Sequence, residues 1–428
     1  MFSKKFANYF ILRILLACNF EFFFEISMPI PTPFHLRTSV LCKSHEWRNW
    51  SGYLAAIKYG PTHDHEYYAI RNSAGLIDVN SLFKYEITGP DAALLVDRII
   101  TRDVSKCKVG QVLYTSWCDE AGKMIDDGTV QRLQENHFRI TAADPSLRWF
   151  QDCGLGMAVN IENVSEKLCA LALQGPNSRN ILKEIFTGAD LDSLKFFWLA
   201  DGEIDGFPVT ISRTGYTGDL GYELWVAPEN ALKLWDALME TGRGHGITAA
   251  GLDALDMVRI EAGLLLIEVD YISSMKALIE ARKSSPFEAG LGWSVKLANK
   301  DFVGRKALLA EKEKGSRWNL VGLEVKWQDI ERLFDAVDLP PLVAGTASRL
   351  AVPVYKKGKQ IGQATSSTFS PLLKKYIALA TLKTEYAEPG TKVNFEITVE
   401  FVRKQAEATV VQTPFFNPER KRSCPKSE

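Results

Sequence analysis

The fold of this chain is decided by a glycine-rich stretch near its middle, Arg213-Thr214-Gly215-Tyr216-Thr217-Gly218-Asp219-Leu220-Gly221-Tyr222-Glu223. Alternating apolar and polar residues on either side predict two strands, over residues 207–212 and 222–226. Three glycines within seven residues let the backbone approach a flat ligand closely. Tyr216 is placed to cover such a ligand, and Glu223 can accept two N–H bonds from an amidine-like edge, as in a pterin. A plain β-turn with a solvated glutamate is the competing interpretation.

Two neighbouring acids, Asp126 and Asp127, mark a second informative segment, inside a predicted strand over residues 124–133. Successive side chains on a strand point to opposite faces, so only one of the two carboxylates can enter a given cavity. A carboxylate beside an amine can orient it or accept its proton. A pair of turn or surface acids is the alternative, and the local pattern alone favours it.

A third segment is a predicted helix over about residues 250–263 that carries one arginine on an apolar face. Helical spacing places Leu252, Leu255 and Arg259 on that face. The arginine could meet a carboxylate substrate or form an internal salt bridge, and we favour the salt bridge.

The bulk properties of the chain exclude several classes of protein. Its 428 residues exceed what one hydrophobic core usually holds, so two or more lobes are expected. A net charge of -1 argues against a general nucleic-acid binder, and the basic run 420–422 is interpreted as a solvated tail. Seven scattered cysteines without a CxxC pair favour a reducing compartment over a disulfide scaffold or zinc site.

The first 27 residues differ from the rest, with Lys4 and Lys5 before an apolar run that Arg13 interrupts. Three interpretations are open: an export signal, an organelle-targeting segment, or an upstream extension with the functional chain starting at Met28. We favour the extension and a cytoplasmic protein. No later stretch is long and apolar enough to predict a bilayer-spanning segment.

Further along, the pattern predicts a helix over residues 53–76, a β-meander over 110–150 and a charged linker over 311–317. The remainder reads as short strands typical of a small barrel or sandwich. His63 and His65 lie at a predicted helix start, where residues two apart diverge, so we expect no metal site.

Together the three segments resemble the glycine cleavage T-protein, or aminomethyltransferase, family in order and separation. The likeness runs from about residue 66 to 416. Supporting motifs are Gly75-Leu76-Ile77-Asp78-Val79, Leu171-Ala172-Leu173-Gln174-Gly175-Pro176, Arg259-Ile260-Glu261-Ala262-Gly263-Leu264, Phe302-Val303-Gly304-Arg305 and Thr365-Ser366-Ser367-Thr368-Phe369-Ser370-Pro371.

The resemblance implies an α+β fold: a three-subdomain cloverleaf with a ferredoxin-like part, plus a small C-terminal β-barrel. It implies that a central funnel binds tetrahydrofolate, which accepts a one-carbon unit. By residue match, Asp127 is the catalytic and folate-orienting acid, and Tyr114, Tyr216 and Glu223 also bind the cofactor. The expected domains are residues 28–314 for folate binding and 315–428 for the barrel.

Four departures from the family pattern cluster around the expected pocket. Leu255 replaces the arginine of an Arg-Asp pair, and Ser81 stands where a histidine is usual. Gln131 replaces a tyrosine, and Ile267-Glu268 replaces Tyr-Gly. We therefore expect a small methylated or aminomethyl donor rather than the standard lipoyl-protein substrate. The candidate donor-binding residues are Ser81, Leu255, Arg259 and Arg420.

Two other functions are open. The chain could be a non-catalytic folate-binding protein related to iron–sulfur assembly factors, although their Lys-Gly-Cys motif is absent from the sequence. It could also be the folate module of an amine-oxidising flavoenzyme, which would require a partner oxidase. A lipoyl carrier protein is the remaining partner that the resemblance suggests; nucleic acid and stable membrane insertion are not expected.

Overall fold

A computed structural model describes residues 28–298 and 300–424 of the chain. Its first unit is an antiparallel five-stranded sheet with two helices, Ala92–Ile99 and Leu147–Cys153, against one face. In spatial order the strands are Val112–Cys118, Met124–Gln134, His137–Ala142, Phe83–Thr88 and Asn160–Asn163. The apolar side chains on that face, among them Trp117, Val130 and Ile140, form a core with the helices. This unit is the part predicted to be ferredoxin-like.

The second unit is a seven-stranded sheet whose last strand alone is paired in parallel. In spatial order the strands are Phe186–Thr187, Leu199–Ile204, Phe207–Ser212, Gly221–Val226, Cys169–Gln174, Ala74–Asp78 and Ile247–Ala249. The helices of this unit are His35–Leu41, Asp64–Asn72, Ser178–Ile185, Ala231–Gly242 and Leu252–Glu261. A small sheet of Ile30–Pro31, Tyr53–Ala56 and Trp47–Trp50 adjoins it.

The third unit is a closed β-barrel. Around the barrel the strands are Trp318–Val325, Lys375–Lys383, Lys359–Ser370, Val352–Lys356, Lys392–Val399 and Val402–Val411. The helix Trp327–Asp335 packs Ile330 and Phe334 into the barrel core, and the helix Arg305–Lys314 precedes the first strand. The predicted cloverleaf with a C-terminal barrel is therefore confirmed.

Two local predictions were wrong, and one helix was missed. Residues 53–76 are not one helix: Tyr53–Ala56 is a strand, and the helix begins at Asp64, after Pro61. The strand forms because Ser51 and Gly52, both with positive φ, turn the chain back onto Trp47–Trp50. The charged segment 311–317 is not a free linker, since its first four residues complete the helix Arg305–Lys314. The helix Trp327–Asp335 was not predicted.

No helix within residues 28–298 or 300–424 is long and apolar enough to cross a membrane. Residues 1–27, on which the interpretation as an upstream extension falls, lie outside the described part of the chain.

Candidate functional site

Asp127 is held by two tyrosine hydroxyl groups. The Tyr114 hydroxyl donates to its Oδ2 at 2.6 Å, and the Tyr271 hydroxyl donates to its Oδ1. Burial raises the pKa of Asp127, while both of these hydrogen bonds act in the opposite direction. Asp127 and Tyr114 nevertheless keep some accessible surface. Tyr271 was not among the residues predicted from sequence.

Asp126 has a different role from its neighbour. Its side chain is fully buried and accepts backbone N–H bonds from Asp127, Ala143 and Asp144 at 2.8 to 3.0 Å. These bonds tie two neighbouring strands together at the point where Asp127 enters the site. The prediction that only one of the two acids points into a cavity fits this arrangement, with Asp126 as the structural acid.

The polar face of the five-stranded sheet lies opposite the seven-stranded sheet. Asp127 and Gln131 are an even number of residues apart on one strand and therefore share that face. Arg139, on the neighbouring strand, lies directly opposite Gln131. The guanidinium of Arg139 lies 5.8 Å from the ring centre of Trp225, which belongs to the other sheet. Glu223 is two residues before Trp225 on the same strand and therefore shares its face. Asp127 and Glu223 thus face the space between the sheets, here called the chamber.

The glycine-rich turn is built around one buried amide. Gln174 donates to the carbonyl groups of Thr214 and Tyr222, both at 3.2 Å, and accepts from the Thr217 hydroxyl at 2.8 Å. A Cβ atom added at Gly215 would lie 2.0 Å from the Gln174 side chain, so only glycine lets the backbone pass. This explains why the glycine turn and the motif that contains Gln174 occur together.

Glu223 is positioned by hydroxyl groups at the end of the turn. Its Oε2 accepts from the Thr214 hydroxyl at 2.6 Å and from the Ser212 hydroxyl at 3.5 Å. Burial raises the pKa of Glu223, and the two hydroxyl groups oppose that shift. The interpretation as a solvated glutamate after an ordinary turn is therefore wrong. Oε1 remains open to a ligand, since both of these hydrogen bonds fall on Oε2.

Aromatic rings line the same region. Tyr216 is half-buried, and its hydroxyl donates to the carbonyl of Leu265. The Tyr114 ring stacks on Trp293, with centres 6.3 Å apart and planes inclined by 27°. Trp293 is 56% exposed and also lies under the guanidinium of Arg102. An aromatic surface therefore extends from Asp127 to the protein exterior.

Arg259 belongs to a buried ion network. Its guanidinium donates to Asp256 at 2.7 Å, to Asp270, and to the Ser366 hydroxyl of the barrel at 2.8 Å. Asp256 also accepts from Arg349. These contacts agree with the salt-bridge interpretation. They pair the guanidinium of Arg259 with groups of the protein itself rather than with a one-carbon donor.

The basic run near the C-terminus is not a solvated tail. Arg420 donates to both oxygens of the buried Asp219, at 2.6 and 2.8 Å. Lys421 lies over the Phe196 ring. Arg420 therefore connects the C-terminal segment to the glycine-rich turn. This ion pair explains the position of Arg420 without any contact to a one-carbon donor.

Ser81 and Leu255 are both buried, at 2% and 7% exposure. The Ser81 hydroxyl and the Nε2 of buried Gln131 are without a hydrogen-bond partner among the described residues. Unpaired buried polar atoms are uncommon, and these two have almost no accessible surface in the described structure. Leu255 packs in the apolar cluster that also contacts Tyr216.

Comparison with known proteins agrees with this architecture. The GCVT N-terminal domain model matches residues 39–299, and the model of the glycine cleavage T-protein C-terminal barrel domain matches residues 342–417. The solved structure of glycine cleavage system aminomethyltransferase T from Bartonella henselae covers 92% of this chain and 99% of its own, with TM-score 0.77 and 23% identity. The fold and the matched domain models thus define a two-part scaffold of the glycine cleavage T-protein type.

The similar sequences define the family more closely. The chain is 36% identical to the aminomethyltransferase of Desulfitobacterium hafniense (strain DSM 10664 / DCB-2) over 373 residues, 86% of this chain and 93% of that one. It is 38% identical to the trimethylamine-oxide aldolase of Ruegeria pomeroyi over 83% of this chain, but spans only 43% of that relative's length. The chain belongs to the glycine cleavage T-protein family, as predicted, and family membership makes it a transferase.

Proposed function

We propose that the chamber binds tetrahydrofolate and that the protein transfers a one-carbon unit to it from a small methylated or aminomethyl donor. The observation that carries the proposal is the pair of half-buried carboxylates, Asp127 and Glu223, that face one chamber from two sheets. The residues present fit a reduced folate. Glu223 offers Oε1 to the aminopyrimidine edge, and Tyr114 and Tyr216 offer ring faces to flat groups.

Bound tetrahydrofolate supplies a nucleophilic amine, N5, as the acceptor. Asp127 would orient that amine and stabilise the positive charge that develops beside it, which is a contribution of positioning and electrostatics. Its two phenol partners keep the carboxylate fixed while the reaction proceeds. Tyr114, which donates to Oδ2 of Asp127, stacks on Trp293, so one of the two phenols is itself packed against a second ring.

The donor class is inferred from the family departures at the chamber. Leu255 is an apolar side chain where a cationic one is usual in the family, and Ser81 and Gln131 are uncharged polar residues. The loss of the cationic side chain favours a small donor over a carrier-bound one. The similar chain named a trimethylamine-oxide aldolase supports a methylated nitrogen compound as the first class to examine.

The proposal is tested by turnover of a donor panel with tetrahydrofolate as acceptor. The panel holds methylated amines, aryl methyl ethers, sulfonium compounds and an aminomethylated lipoyl carrier protein. We expect a small-molecule donor to react, and Asp127→Asn to slow the reaction by about 10²–10⁴-fold while folate still binds. The control is Asp152→Asn, whose carboxylate pairs with Arg148 on an exposed helix.

Turnover of the lipoyl carrier alone would contradict the donor assignment. Folate binding without turnover of any donor would favour the non-catalytic alternative.

A further inference from the structure

Tyr271 contacts both acids of the Asp126–Asp127 pair. Its hydroxyl donates to Oδ1 of Asp127 and lies 3.3 Å from Oδ1 of Asp126. The Tyr114 hydroxyl occupies the other oxygen of Asp127. Each oxygen of Asp127 therefore accepts one phenol hydrogen bond, and the carboxylate cannot rotate without breaking one of them. Tyr271 itself is only 3% exposed.

The loop that carries Tyr271 is fastened to the barrel through the residue before it. Asp270 accepts hydrogen bonds at 2.6 Å from the hydroxyl groups of Thr365 and Ser366, both on a barrel strand. Arg259 of the preceding helix donates to the same carboxylate. Within the loop, the N–H of Glu268 donates to the carbonyl of Tyr271 at 2.7 Å. The barrel thus fixes the backbone from which the Tyr271 ring reaches Asp127.

We propose that Tyr271 is a positioning residue, which holds Asp127 in its reactive orientation and is itself held in place by the barrel through Asp270. This positioning role depends on the proposed function in one respect, namely that Asp127 acts in one-carbon transfer. The contact between the two side chains is independent of any ligand. In this arrangement the C-terminal barrel acts on Asp127 through the loop that carries Tyr271.

The electrostatic consequence follows from the groups around Asp127. Tyr114, Tyr271 and Tyr216 face it from three elements, and Asp126 and Asp270 are the neighbouring acids. A phenol that donates to a carboxylate stabilises its charged form. Loss of the Tyr271 hydroxyl therefore raises the pKa of Asp127 further above its ordinary value and frees one of its oxygens to rotate.

The first test needs no ligand. Protein labelled with ¹³C at the aspartate carboxyl carbons is titrated with acid, and Asp127→Asn identifies the Asp127 resonance. We expect Tyr271→Phe to raise the pKa of Asp127 by about one unit. The matched control is Tyr355→Phe, which removes a 2.9 Å hydrogen bond from a phenol to the Glu396 carboxylate within the barrel. Equal Asp127 titrations in wild type and Tyr271→Phe would overturn the proposal.

The second test is kinetic and uses tetrahydrofolate with the donor that the panel identifies. We expect Tyr271→Phe to lower kcat about ten-fold or more, to leave the dissociation constant for tetrahydrofolate within about three-fold, and to move the acid limb of the pH–rate profile upward. An unchanged kcat and acid limb would contradict the proposal. Thermal unfolding confirms that the variant is folded, and Ser366→Ala, which weakens the hold on Asp270, is expected to shift the acid limb in the same direction by less.

The two proposals fail separately. If wild-type protein binds no reduced folate, the proposed function fails, and the carboxyl titration still decides whether Tyr271 controls Asp127. If folate binds and reacts but the Tyr271→Phe acid limb stays in place, only the positioning role is lost.

Discussion

Asp127 and Glu223 are held by hydroxyl groups rather than by cations. Burial has the largest influence on the pKa of both carboxyl groups; beyond it, Tyr114, Tyr271 and Asp270 act on Asp127, and Thr214 and Ser212 act on Glu223. Hydroxyl donors offset only part of the free energy that a carboxylate loses on leaving water. A ligand that brings N–H groups or developing positive charge would therefore stabilise the charged form of both carboxylates.

The pterin assignment predicts a defined loss for one substitution. Glu223→Gln should weaken tetrahydrofolate binding by about 10- to 100-fold, because a hydrogen bond to a charged acceptor is worth about 1.5–3 kcal/mol. Isothermal titration calorimetry measures the change. Glu203→Gln, on an exposed position of the same sheet, is the control and should bind as wild type does. Equal affinity in the two variants would remove Glu223 from the binding site.

The burial of the same carboxylate sets the sign of its pH dependence. Because the pKa of Glu223 is raised, its charge is lost at a higher pH than for an exposed glutamate. Folate affinity should therefore decline as pH falls through that raised pKa, and the decline should be absent from Glu223→Gln. Titrations at a series of pH values with both proteins test this; parallel declines in the two proteins would assign the effect to another group.

At the scale of elements, the glycine turn depends on close packing against the helix Leu252–Glu261 and the residue after it. Gly218 has φ of +75°, and a Cβ atom there would lie 2.4 Å from the Cβ of Ala262. Gly206 has φ of +77° in a turn of the same sheet, but a Cβ atom there meets nothing within 4 Å. Substitution at Gly206 therefore introduces backbone strain alone, whereas substitution at Gly218 introduces both backbone strain and steric overlap.

Alanine at each position gives a matched pair. Gly206→Ala should cost about 1–2 kcal/mol of unfolding free energy through backbone strain and leave folate binding unchanged. Gly218→Ala should cost about 1–3 kcal/mol more through overpacking and should also weaken folate binding, because the turn carries Tyr216. Urea unfolding and folate titration measure both effects. A Gly218→Ala variant no less stable than Gly206→Ala would show that the turn has room to move.

The C-terminal segment acts as a strap across the glycine turn. Buried Arg213 donates to the carbonyl groups of Leu194, Arg420, Lys421 and Ser423 at 2.7 to 3.2 Å. Truncation after Phe416 would remove three of these four acceptors and leave a buried cation poorly paired. We expect a loss of about 3–5 kcal/mol in unfolding free energy.

Thermal or urea unfolding of the truncated protein measures this loss. The control is Arg422→Ala, which removes only an exposed contact with Asn417 and should be nearly neutral. An unchanged stability after truncation would mean that Arg213 finds other acceptors.

Helices and strands could be predicted from the sequence where the local pattern of apolar residues matched the burial in the folded protein. The meander strands follow their apolar period closely, whereas the helix Leu252–Glu261 is buried on nearly all sides, its charged residues included. Tyr53–Ala56 was misassigned because four residues do not distinguish a strand from a helix turn, and pairing with Trp47–Trp50 decides the outcome. The helix Trp327–Asp335 carries Ile330 and Phe334 at helical spacing, a signal that the surrounding strands masked.

At the scale of the whole molecule, a buried ion network joins the N-terminal units to the barrel. Arg259→Met should lower the free energy of unfolding by about 3–5 kcal/mol, because Asp256 and Asp270 would keep buried charges with fewer partners. Arg37→Met is the control, because its bidentate pair with Asp236 is exposed to solvent and its loss should be nearly neutral. Chemical unfolding compares them, and similar losses would show that the network adds little.

The site could be predicted from sequence only as far as its motifs reach. The segments that contain Asp127, Tyr216 and Glu223 are weak signals one by one, and these residues became candidates only through the resemblance of the three segments together to one family. Tyr271 lies in an irregular loop without a period, and its contact with Asp127 spans 144 residues. Such a contact follows from how the barrel holds the loop, which local sequence does not encode. The Arg420 contact with Asp219 spans 201 residues and was missed for the same reason.

The most direct test of the central claim is titration of the purified protein with tetrahydrofolate, with Glu223→Ala and Asp127→Asn beside it. The account predicts saturable binding at about one site per chain, a large loss of affinity in Glu223→Ala, and near wild-type binding without turnover in Asp127→Asn. If the wild-type protein does not bind tetrahydrofolate, the account is contradicted, and the chamber must serve a different ligand.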